Sequence, residues 1–479
     1  LLKFLSFLVW SVLSFKVFIF WIFISIFYSI KYYLSQFETN KYINFLALIF
    51  FAFNPFVYPR FEQWQFFILY AYSLLPFLFY FLEKNLLYSL IVSWIILSFS
   101  SHFVFIIWIV YLLYFVLNYK QIDYKKSFIW LLFVLVFNSY WIFSLLNWTN
   151  ISNFSITDVK NFSSFPVYFS NIYLEILSLN GFWWDNFYKY AVVLSDFRFS
   201  FLWFLFLNLV FWFLYMFRFK SKKHLMYLFI FIFSFILSLW ISYFNIFSFI
   251  NLFLFEHIPF YLWLREANKF SSLLVMCYLF FIVQTLIFIS KLADQFSKNV
   301  FYLIFWVFIL LNNFSFYMIF SNQFKAYKIP KTYFEYTFSN SNYDDCKLKT
   351  EWKIDKCYNT LVLPRHQSIK LSFIDKTVSN PSWFFYWDKV LFGDNIESGN
   401  IFTQSIRYES VIIEKYFNQF FWKYNKWMFN KTTFLSDLKS LWISNIVLYK
   451  EADFKKYKDF FDDIWLKSFE NENVIFYSF

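Results

Sequence analysis

The chain has 479 residues, of which 60% are hydrophobic and only 15% are charged, and its formal net charge is +12. A chain this apolar cannot hide its many long hydrophobic runs inside one globular core, so a soluble single-core protein is excluded. The positive charge does not indicate a nucleic-acid partner, because most of the excess lies in short loops between apolar runs, where membrane orientation explains it.

Long apolar runs follow one another from the start of the chain to residue 320. Ten of them reach or approach membrane-spanning length: 4–30, 42–56, 64–82, 86–99, 103–118, 126–147, 199–217, 225–244, 270–290 and 299–320. The runs 42–56 and 86–99 are short enough to be half-helices or re-entrant segments. We therefore predict a polytopic α-helical membrane protein with about ten spans over 1–320, including a long loop at 148–198.

The loops between these runs differ in basic residues and so predict the orientation of the chain. One class of loop is rich in cations: Lys31, Lys41, Lys84, Lys120, Lys125, Lys126, Arg218, Lys220, Lys222, Lys223, Lys291 and Lys298. The opposite loops are longer in total and carry few: Arg60, Lys160, Lys189, Arg198, Arg265 and Lys269. The positive-inside bias places the first class in the cytoplasm and the second outside the plasma membrane.

The start of the chain is unusual, because Leu1 leads almost directly into an apolar run and the first Met is Met216. A signal peptide would need a basic start and a small-residue cleavage site, and neither is evident. We expect further residues upstream of Leu1 that carry another span and an external loop. The alternative is a non-standard start codon.

The last third of the chain, 321–479, alternates short apolar runs with polar turns. The segments 360–364, 443–449 and 473–477 have the pattern of strands, and 408–422 and 451–467 have helical spacing. We predict an extracytoplasmic α/β domain that binds an acceptor or covers a membrane cavity, or that serves as a passive lid. In this external location Cys346 and Cys357 either form a disulfide or remain thiols.

A first group of polar residues lies at the external membrane face, in the segment 54–65. Its two prolines break the run 42–56 and leave Arg60, Glu62 and Gln63 at the lip of the membrane. Arg60 can hold a phosphate by a bidentate contact, and Glu62 can orient the phosphate or an acceptor hydroxyl. The alternative is an interfacial ion pair that anchors a helix end.

A second group lies in 264–270, at the external start of the run 270–290. Arg265 and Lys269 are four residues apart and share one face if the helix begins there, with Glu266 beside them. They form a cationic patch at the depth of a lipid phosphate headgroup. The alternative is a pair of cations that snorkel to water from a helix end.

Two further segments lie on the same external side. His102 occupies a polar turn at 100–102, where it serves a site or is a hydrogen-bonded structural residue. The segment 177–185 combines aromatic residues with Asp185, which is suited to contact a sugar, or it forms an amphipathic helix at the membrane surface. Six ionisable residues thus converge on one side of the membrane: Arg60, Glu62, His102, Arg265, Glu266 and Lys269.

Signatures of soluble enzymes are absent from the sequence. None of the three glycines makes a phosphate-binding loop, and the four scattered histidines form no metal-ligand pair at helical spacing. No nucleophile elbow of the G-x-S-x-G kind occurs. The convergence of polar residues at the external face is therefore the main functional signal of the chain.

Several segments in order along the chain resemble the GT-C superfamily of integral-membrane glycosyltransferases, which use polyprenyl-phosphate-linked sugars, and among them arabinofuranosyltransferase-like members. The resembling pieces are Asn54-Pro55 with Arg60, 71–76, His102, 138–141, 180–184, 265–270 and 438–449. The resemblance implies an inverting transfer in which basic residues hold the lipid phosphate. It also implies an acidic residue in the first external loop, acting as a base or as a ligand of a divalent cation.

That first loop should precede Leu1, so no catalytic base can be carried over to this chain. Glu62 and Asp185 are substitutes by location only. The resemblance implies a sugar transferred from a polyprenyl-phosphate donor to a glycan, lipid or protein acceptor at the cell surface. The rival interpretation is a non-catalytic membrane protein, either a transporter or flippase of lipid-linked glycans or a scaffold. No internal repeat is found, which argues mildly against a transporter.

Overall fold

The structure is a computed structural model of the chain. The residues that it describes are 11–62, 65–121, 132, 136, 138–139, 164, 171–181, 202, 204–210, 212–213, 221–239, 246–258, 261, 267–292, 297–308, 330, 360–363, 368–371, 377–379, 390–391, 432, 436, 438, 443, 445–451, 455–462 and 467–478. The chain divides into two compact units, Leu1–Ile151 with Val159–Phe324, and Ser152–Asp158 with Lys325–Phe479. Cys346, Cys357 and the predicted helix 408–422 lie outside the described residues.

The first unit is helical throughout its described part. Its helices are α1 Ser11–Leu34, α2 Lys41–Ala52, α3 Val57–Glu62, α4 Phe66–Ser73, α5 Leu75–Lys84, α6 Leu86–Phe99, α7 Val104–Asn118, α8 Ile172–Leu177, α9 Lys222–Leu239, α10 Ser248–His257, α11 Ser271–Leu292 and α12 Ser297–Phe308. Short 3₁₀ turns cover Ser101–Phe103, Tyr119–Gln121 and Ala267–Phe270. Together these elements form a bundle of mainly apolar helices.

Five helical segments among the described residues are long and apolar enough to cross a bilayer: Val17–Leu34, Phe66–Lys84, Ser101–Asn118, Lys222–Leu239 and Asn268–Lys291. The protein is therefore membrane-embedded. The predicted runs 42–56, 86–99 and 299–320 correspond to the shorter apolar helices α2, α6 and α12. The run 126–147 lies mostly outside the described residues and the run 199–217 only partly within them, so ten spans remain a prediction.

Asparagine side chains start several of these helices. Asn40 Oδ1 accepts hydrogen bonds from the backbone N–H of Tyr42 and Ile43, both at 3.0 Å, and so begins α2. Asn85 and Asn171 cap α6 and α8 in the same way. Because the first N–H groups of a helix have no partner within it, such a cap fixes where each helix begins.

Helix α11 lies at the centre of the bundle, and 94% of an 18-residue apolar window within Asn268–Lys291 is buried. It packs against α2 and α9 and the 3₁₀ turn that precedes it. Its Phe280 and Phe281 stack on Tyr227 at 4.0 Å and Trp212 at 4.2 Å between ring centroids. A helix that is apolar on every face is stable only when other helices surround it, which explains its central place.

Four of the loops predicted to be cytoplasmic meet at one end of this bundle. Lys223 Nζ lies 2.7 Å from Glu83 Oε2, and Lys291 Nζ lies 2.8 Å from Glu38 Oε2. The hydrogen bond and the charge of Lys291 lower the pKa of the Glu38 carboxyl. Lys223 also donates to Gln36 at 3.0 Å. These contacts place the loops around 36–38, 83, 223 and 291 on the same side of the helices.

The second unit contains the sheet. Five strands have the order β4-β1-β5-β7-β6: β1 Thr360–Leu363, β4 Val390–Leu391, β5 Asn445–Tyr449, β6 Lys467–Glu470 and β7 Val474–Ser478. β1 pairs in parallel with β4 and β5, whereas β7 pairs antiparallel with β5 and β6. The strands β2 Ser368–Lys370 and β3 Thr377–Ser379 form a separate antiparallel pair, and helix α13 covers Lys455–Asp462.

The predicted strands 360–364, 443–449 and 473–477 correspond to β1, β5 and β7. All described residues of β1 and β5 are buried, as is typical of a strand that is covered on both faces. The predicted helix 451–467 is present over the shorter range of α13. The extracytoplasmic location of this unit stays a prediction.

Candidate functional site

The chain reverses direction at Asn54, between α2 and α3. The Asn54 side chain donates to the carbonyl oxygens of Phe50 at 3.2 Å and Phe51 at 3.0 Å, and accepts from Phe56 N at 3.1 Å. Tyr72 OH donates to the carbonyl of Phe51 at 2.8 Å. These bonds satisfy carbonyl groups that the end of α2 leaves open. The predicted helix break is therefore present, and it directs the short helix α3 back into the bundle.

Arg60 in α3 lies inside the bundle, with 0% of its surface exposed. One guanidinium nitrogen donates to Gln65 Oε1, and Nη2 donates to Asn268 Oδ1 at 2.8 Å. The guanidinium carbon lies 5.2 Å from the centre of the Phe56 ring. Amide oxygens orient the guanidinium without adding negative charge. An arginine that only anchored a helix end at the interface would remain exposed, so its burial disfavours that alternative.

Asn268 and Lys269 belong to the 3₁₀ turn Ala267–Phe270, and the regular α-helix begins only at Ser271. A 3₁₀ turn has a different period from an α-helix. The expected helical face shared by Arg265 and Lys269 stays a prediction, because Arg265 lies outside the described residues. Lys269 is 2% exposed. A snorkelling lysine would keep its ammonium group in water, so this burial disfavours the alternative for Lys269.

A third segment, 171–181, joins the same place. Asn268 Nδ2 donates to the carbonyl of Asn180 at 3.2 Å, and Tyr278 OH donates to the carbonyl of Leu177 at 2.9 Å. Asn180 also donates from its backbone N–H to the carbonyl of Glu175 at 3.0 Å. The loop segment is thereby held against α11 and the turn before it. Arg60, Asn268 and Asn180, far apart in the sequence, form one chain of hydrogen bonds.

This assembly contains three buried ionisable side chains. Arg60 and Glu175 are 0% exposed, and Lys269 is 2% exposed. Ionisable residues buried in a membrane protein are costly and mark functional sites more often than other residues do. Two cations buried inside a bundle can stabilise a phosphate, because the low dielectric constant there strengthens the attraction.

The remaining predicted site residues are placed as follows. His102 is half-buried in the 3₁₀ turn Ser101–Phe103 between α6 and α7, and the hydrogen bonds above do not include it. Glu62 is the last residue of α3, but its side chain is not described. Gln63, Asp185, Arg265 and Glu266 lie outside the described residues. The structure thus joins Arg60 to the turn that carries Lys269 and places His102 in a different turn.

Four members of the assembly were not predicted as site residues, and Asn180 is one of them, although it lies in the segment 177–185 that the sequence marked. Gln65 and Asn268 lie within the two polar segments that the sequence singled out, but nothing marked their amides as partners of Arg60. Glu175 is a single acid in a mostly apolar stretch, and no pattern in the sequence separates it from an exposed residue. Its burial is visible only in the folded chain.

No group of three His, Cys, Asp or Glu that could hold a metal ion occurs in the part of the chain that the structure describes. The described residues of the site therefore offer cations and amides rather than a ligand set for a divalent cation.

Comparisons with family models, with curated proteins and with solved structures found no match to this chain. What the fold and the site define is a class: a mostly helical membrane protein with a buried cationic site.

Gly181 closes the segment 171–181 and allows a substitution that tests its packing. Its φ is +87°, and an added Cβ would lie 2.9 Å from Ile176 Cδ1. The preceding Leu179 also has a positive φ, of 65°, so this turn is already strained. We expect Gly181→Ala to destabilise the docked segment by about 1–2 kcal/mol. Limited proteolysis of the purified chain should then cut within 148–198 faster, whereas Ser98→Ala, on the exposed face of α6, should leave the rate unchanged.

Proposed function

We propose that the chain is a membrane glycosyltransferase that moves a sugar from a polyprenyl-phosphate donor to a cell-surface acceptor on the external face. The observation that carries this proposal is the contact of Arg60 with Asn268, which joins two polar segments that resemble the GT-C superfamily. The carbonyl of Asn180, from a third such segment, completes the contact. Joining these segments is what a common phosphate site requires.

In the proposed reaction the acceptor hydroxyl oxygen attacks the anomeric carbon of the sugar. The bond between that carbon and the phosphate oxygen breaks, its electron pair leaves with the lipid phosphate, and the hydroxyl proton passes to a base. The phosphate gains negative charge as the bond breaks. Cations fixed beside it therefore stabilise the transition state more than the bound donor.

Arg60, Arg265 and Lys269 hold the donor phosphate in this proposal, and Glu62 and His102 position the donor or the acceptor. Gln65 and Asn268 orient the Arg60 guanidinium, which limits the side-chain freedom lost on binding. Because Arg60 and Lys269 are buried, the phosphate enters when the segment 171–181 moves away. The base is not assigned, and the second unit binds the acceptor.

Sidedness can be tested directly, because the proposal requires the Arg60 end of the bundle to face outward. The basic loops that meet at the opposite end support cytoplasmic placement of that end. We expect a membrane-impermeant maleimide to label Ile246→Cys in intact cells and Ser35→Cys only after permeabilisation, in a background with Cys346 and Cys357 replaced by Ser. Both positions are exposed. Labelling of both from the same side would refute the topology.

Donor-dependent transfer tests the function itself. Membranes that contain the chain should transfer a radiolabelled sugar from a polyprenyl-phosphate donor, and membranes without the chain should not. We expect Arg265→Ala to abolish this transfer without lowering the amount of protein, because it removes one cation from the phosphate. Lys298→Ala, in a basic loop predicted to be cytoplasmic, provides the matched control and should retain activity.

Two results would refute the proposal. Full activity of both Arg60→Ala and Arg265→Ala would eliminate this site as the phosphate site. Movement of the intact lipid-linked sugar across the membrane, with no transfer to an acceptor, would instead favour the flippase alternative. The second measurement uses the same membranes with a donor that is placed on one side only.

A further inference from the structure

Glu175 is the one acidic residue among the fully buried side chains described in the bundle. Its backbone carbonyl accepts hydrogen bonds from Ser178 Oγ at 2.8 Å and from Asn180 N at 3.0 Å. Its side chain lies beside Gly181, where its Cγ is 3.4 Å from the position of an added Cβ. Glu175 therefore belongs to the turn that positions the Asn180 carbonyl to accept the hydrogen bond from Asn268 Nδ2.

The same hydrogen-bond chain connects Glu175 to two cations. Asn268 Nδ2 donates to the Asn180 carbonyl, and Asn268 Oδ1 accepts from Arg60 Nη2 at 2.8 Å. Asn268 also directly precedes Lys269 in the chain. All three ionisable side chains are buried, and the hydrogen bonds through Asn268 and Asn180 link the segments that carry them. The charges of these three groups sum to +1 when each is ionised.

We infer that Glu175 determines which phosphate the site accepts, favouring a singly charged phosphodiester over a doubly charged phosphomonoester. This inference rests on the proposed function, because it takes the Arg60 site to be a phosphate site. A sugar attached to a lipid phosphate is a phosphodiester, whereas the lipid phosphate left after transfer is a monoester. A fixed negative charge on Glu175, in the segment that is hydrogen-bonded to Asn268, therefore weakens retention of the product relative to the donor.

The size of the effect follows from the Coulomb energy. At a separation on the order of 10 Å and an effective dielectric constant near 20, one unit charge changes the binding of another by roughly tenfold. A dianion feels the carboxylate twice as strongly as a monoanion does. Removing the charge of Glu175 should thus raise the affinity ratio of monoester to diester by about tenfold.

The experiment measures binding of two probes to the full chain in lipid nanodiscs at pH 8. The probes are a short-chain prenyl phosphate, which is mostly dianionic there, and its methyl ester, which carries one charge. We expect Glu175→Gln to raise the monoester-to-diester affinity ratio about tenfold. Glu175→Asp keeps the charge and should stay near the wild-type ratio. Glu38→Gln, an exposed carboxylate at the opposite end, should leave the ratio unchanged.

The double variant Glu175→Gln with Lys269→Gln removes one charge of each sign and should return the ratio toward that of the wild type. It also provides the decisive measurement if the single variant does not fold. An unchanged ratio in Glu175→Gln, or a ratio in the double variant that stays tenfold above wild type, would overturn the inference.

Arg60→Ala separates this inference from the function on which it rests. If Arg60→Ala weakens both probes while Glu175→Gln leaves their ratio unchanged, the phosphate site stands and the role of Glu175 is wrong. If Arg60→Ala weakens neither probe, the phosphate site itself is wrong, and with it the inference.

Discussion

Replacement of Arg60 by alanine is expected to lower the rate of sugar transfer by about 100- to 1000-fold, the effect of removing one preorganised donor from a developing anion. The guanidinium lies inside the bundle and is already oriented by Gln65 and Asn268. The guanidinium therefore needs little reorientation when the phosphate gains charge. The measurement is initial transfer rate per folded molecule in membranes.

Further variants separate the charge of Arg60 from its shape. Arg60→Lys keeps the charge but cannot donate in parallel to two amide oxygens in the fixed fork of a guanidinium, so its rate should lie between wild type and Arg60→Ala. Lys291→Ala removes an exposed cation that pairs with Glu38 at the other end, and it should retain the wild-type rate. A rate for Arg60→Ala within twofold of wild type would contradict the assignment.

A loss of activity through misfolding must be separated from a loss of chemistry. Arg60→Ala also leaves the amide oxygens of half-buried Gln65 and buried Asn268 without this donor, which costs about 1–3 kcal/mol at the buried group. Gln65→Ala and Asn268→Ala are therefore useful companions, since each keeps the Arg60 charge. We expect both to lose much less activity than Arg60→Ala at equal amounts of folded protein.

Much of the helical architecture could be predicted because it depends on local pattern. Apolar runs of sufficient length indicated the five spans, and the prolines near Asn54 indicated the break between α2 and α3. Alternation of apolar and polar residues indicated β1, β5 and β7 in the tail. Each of these features is encoded within one stretch of sequence, so no knowledge of the neighbouring elements was needed.

The site could be predicted only in part, because it depends on contacts between distant segments. The sequence marked the segments around Arg60 and Lys269 and placed both on one side of the membrane. It could not show that Asn268 would receive the guanidinium, since that pairing follows from how α3 packs beside the start of α11. Glu175 was missed for the same reason, because only the docking of 171–181 makes it a buried charge.

The largest stability loss is expected for Tyr227→Ala, at the centre of the bundle. Tyr227 is fully buried, stacks on Phe280 at 4.0 Å and on Phe79 at 5.3 Å between ring centroids, and shares a 2.7 Å hydrogen bond with Tyr33 OH. Removing the ring leaves a cavity where α9 packs on α1, α5 and α11, at a cost of about 3–5 kcal/mol. Unfolding in a denaturing detergent, followed by circular dichroism, measures this change.

Matched variants divide that loss between packing and hydrogen bonding. Tyr227→Phe keeps the stacked ring and loses only the bond to Tyr33, so it should cost about 1 kcal/mol, in line with interhelical hydrogen bonds in membrane proteins. Phe229 lies on the exposed side of the same helix. Phe229→Ala therefore leaves no cavity inside the bundle and should cost less than Tyr227→Ala. Because lipid is as apolar as the core, stability must come from close packing rather than from exclusion of water. Equal losses for Tyr227→Ala and Phe229→Ala would show that this aromatic cluster does not hold the helices together.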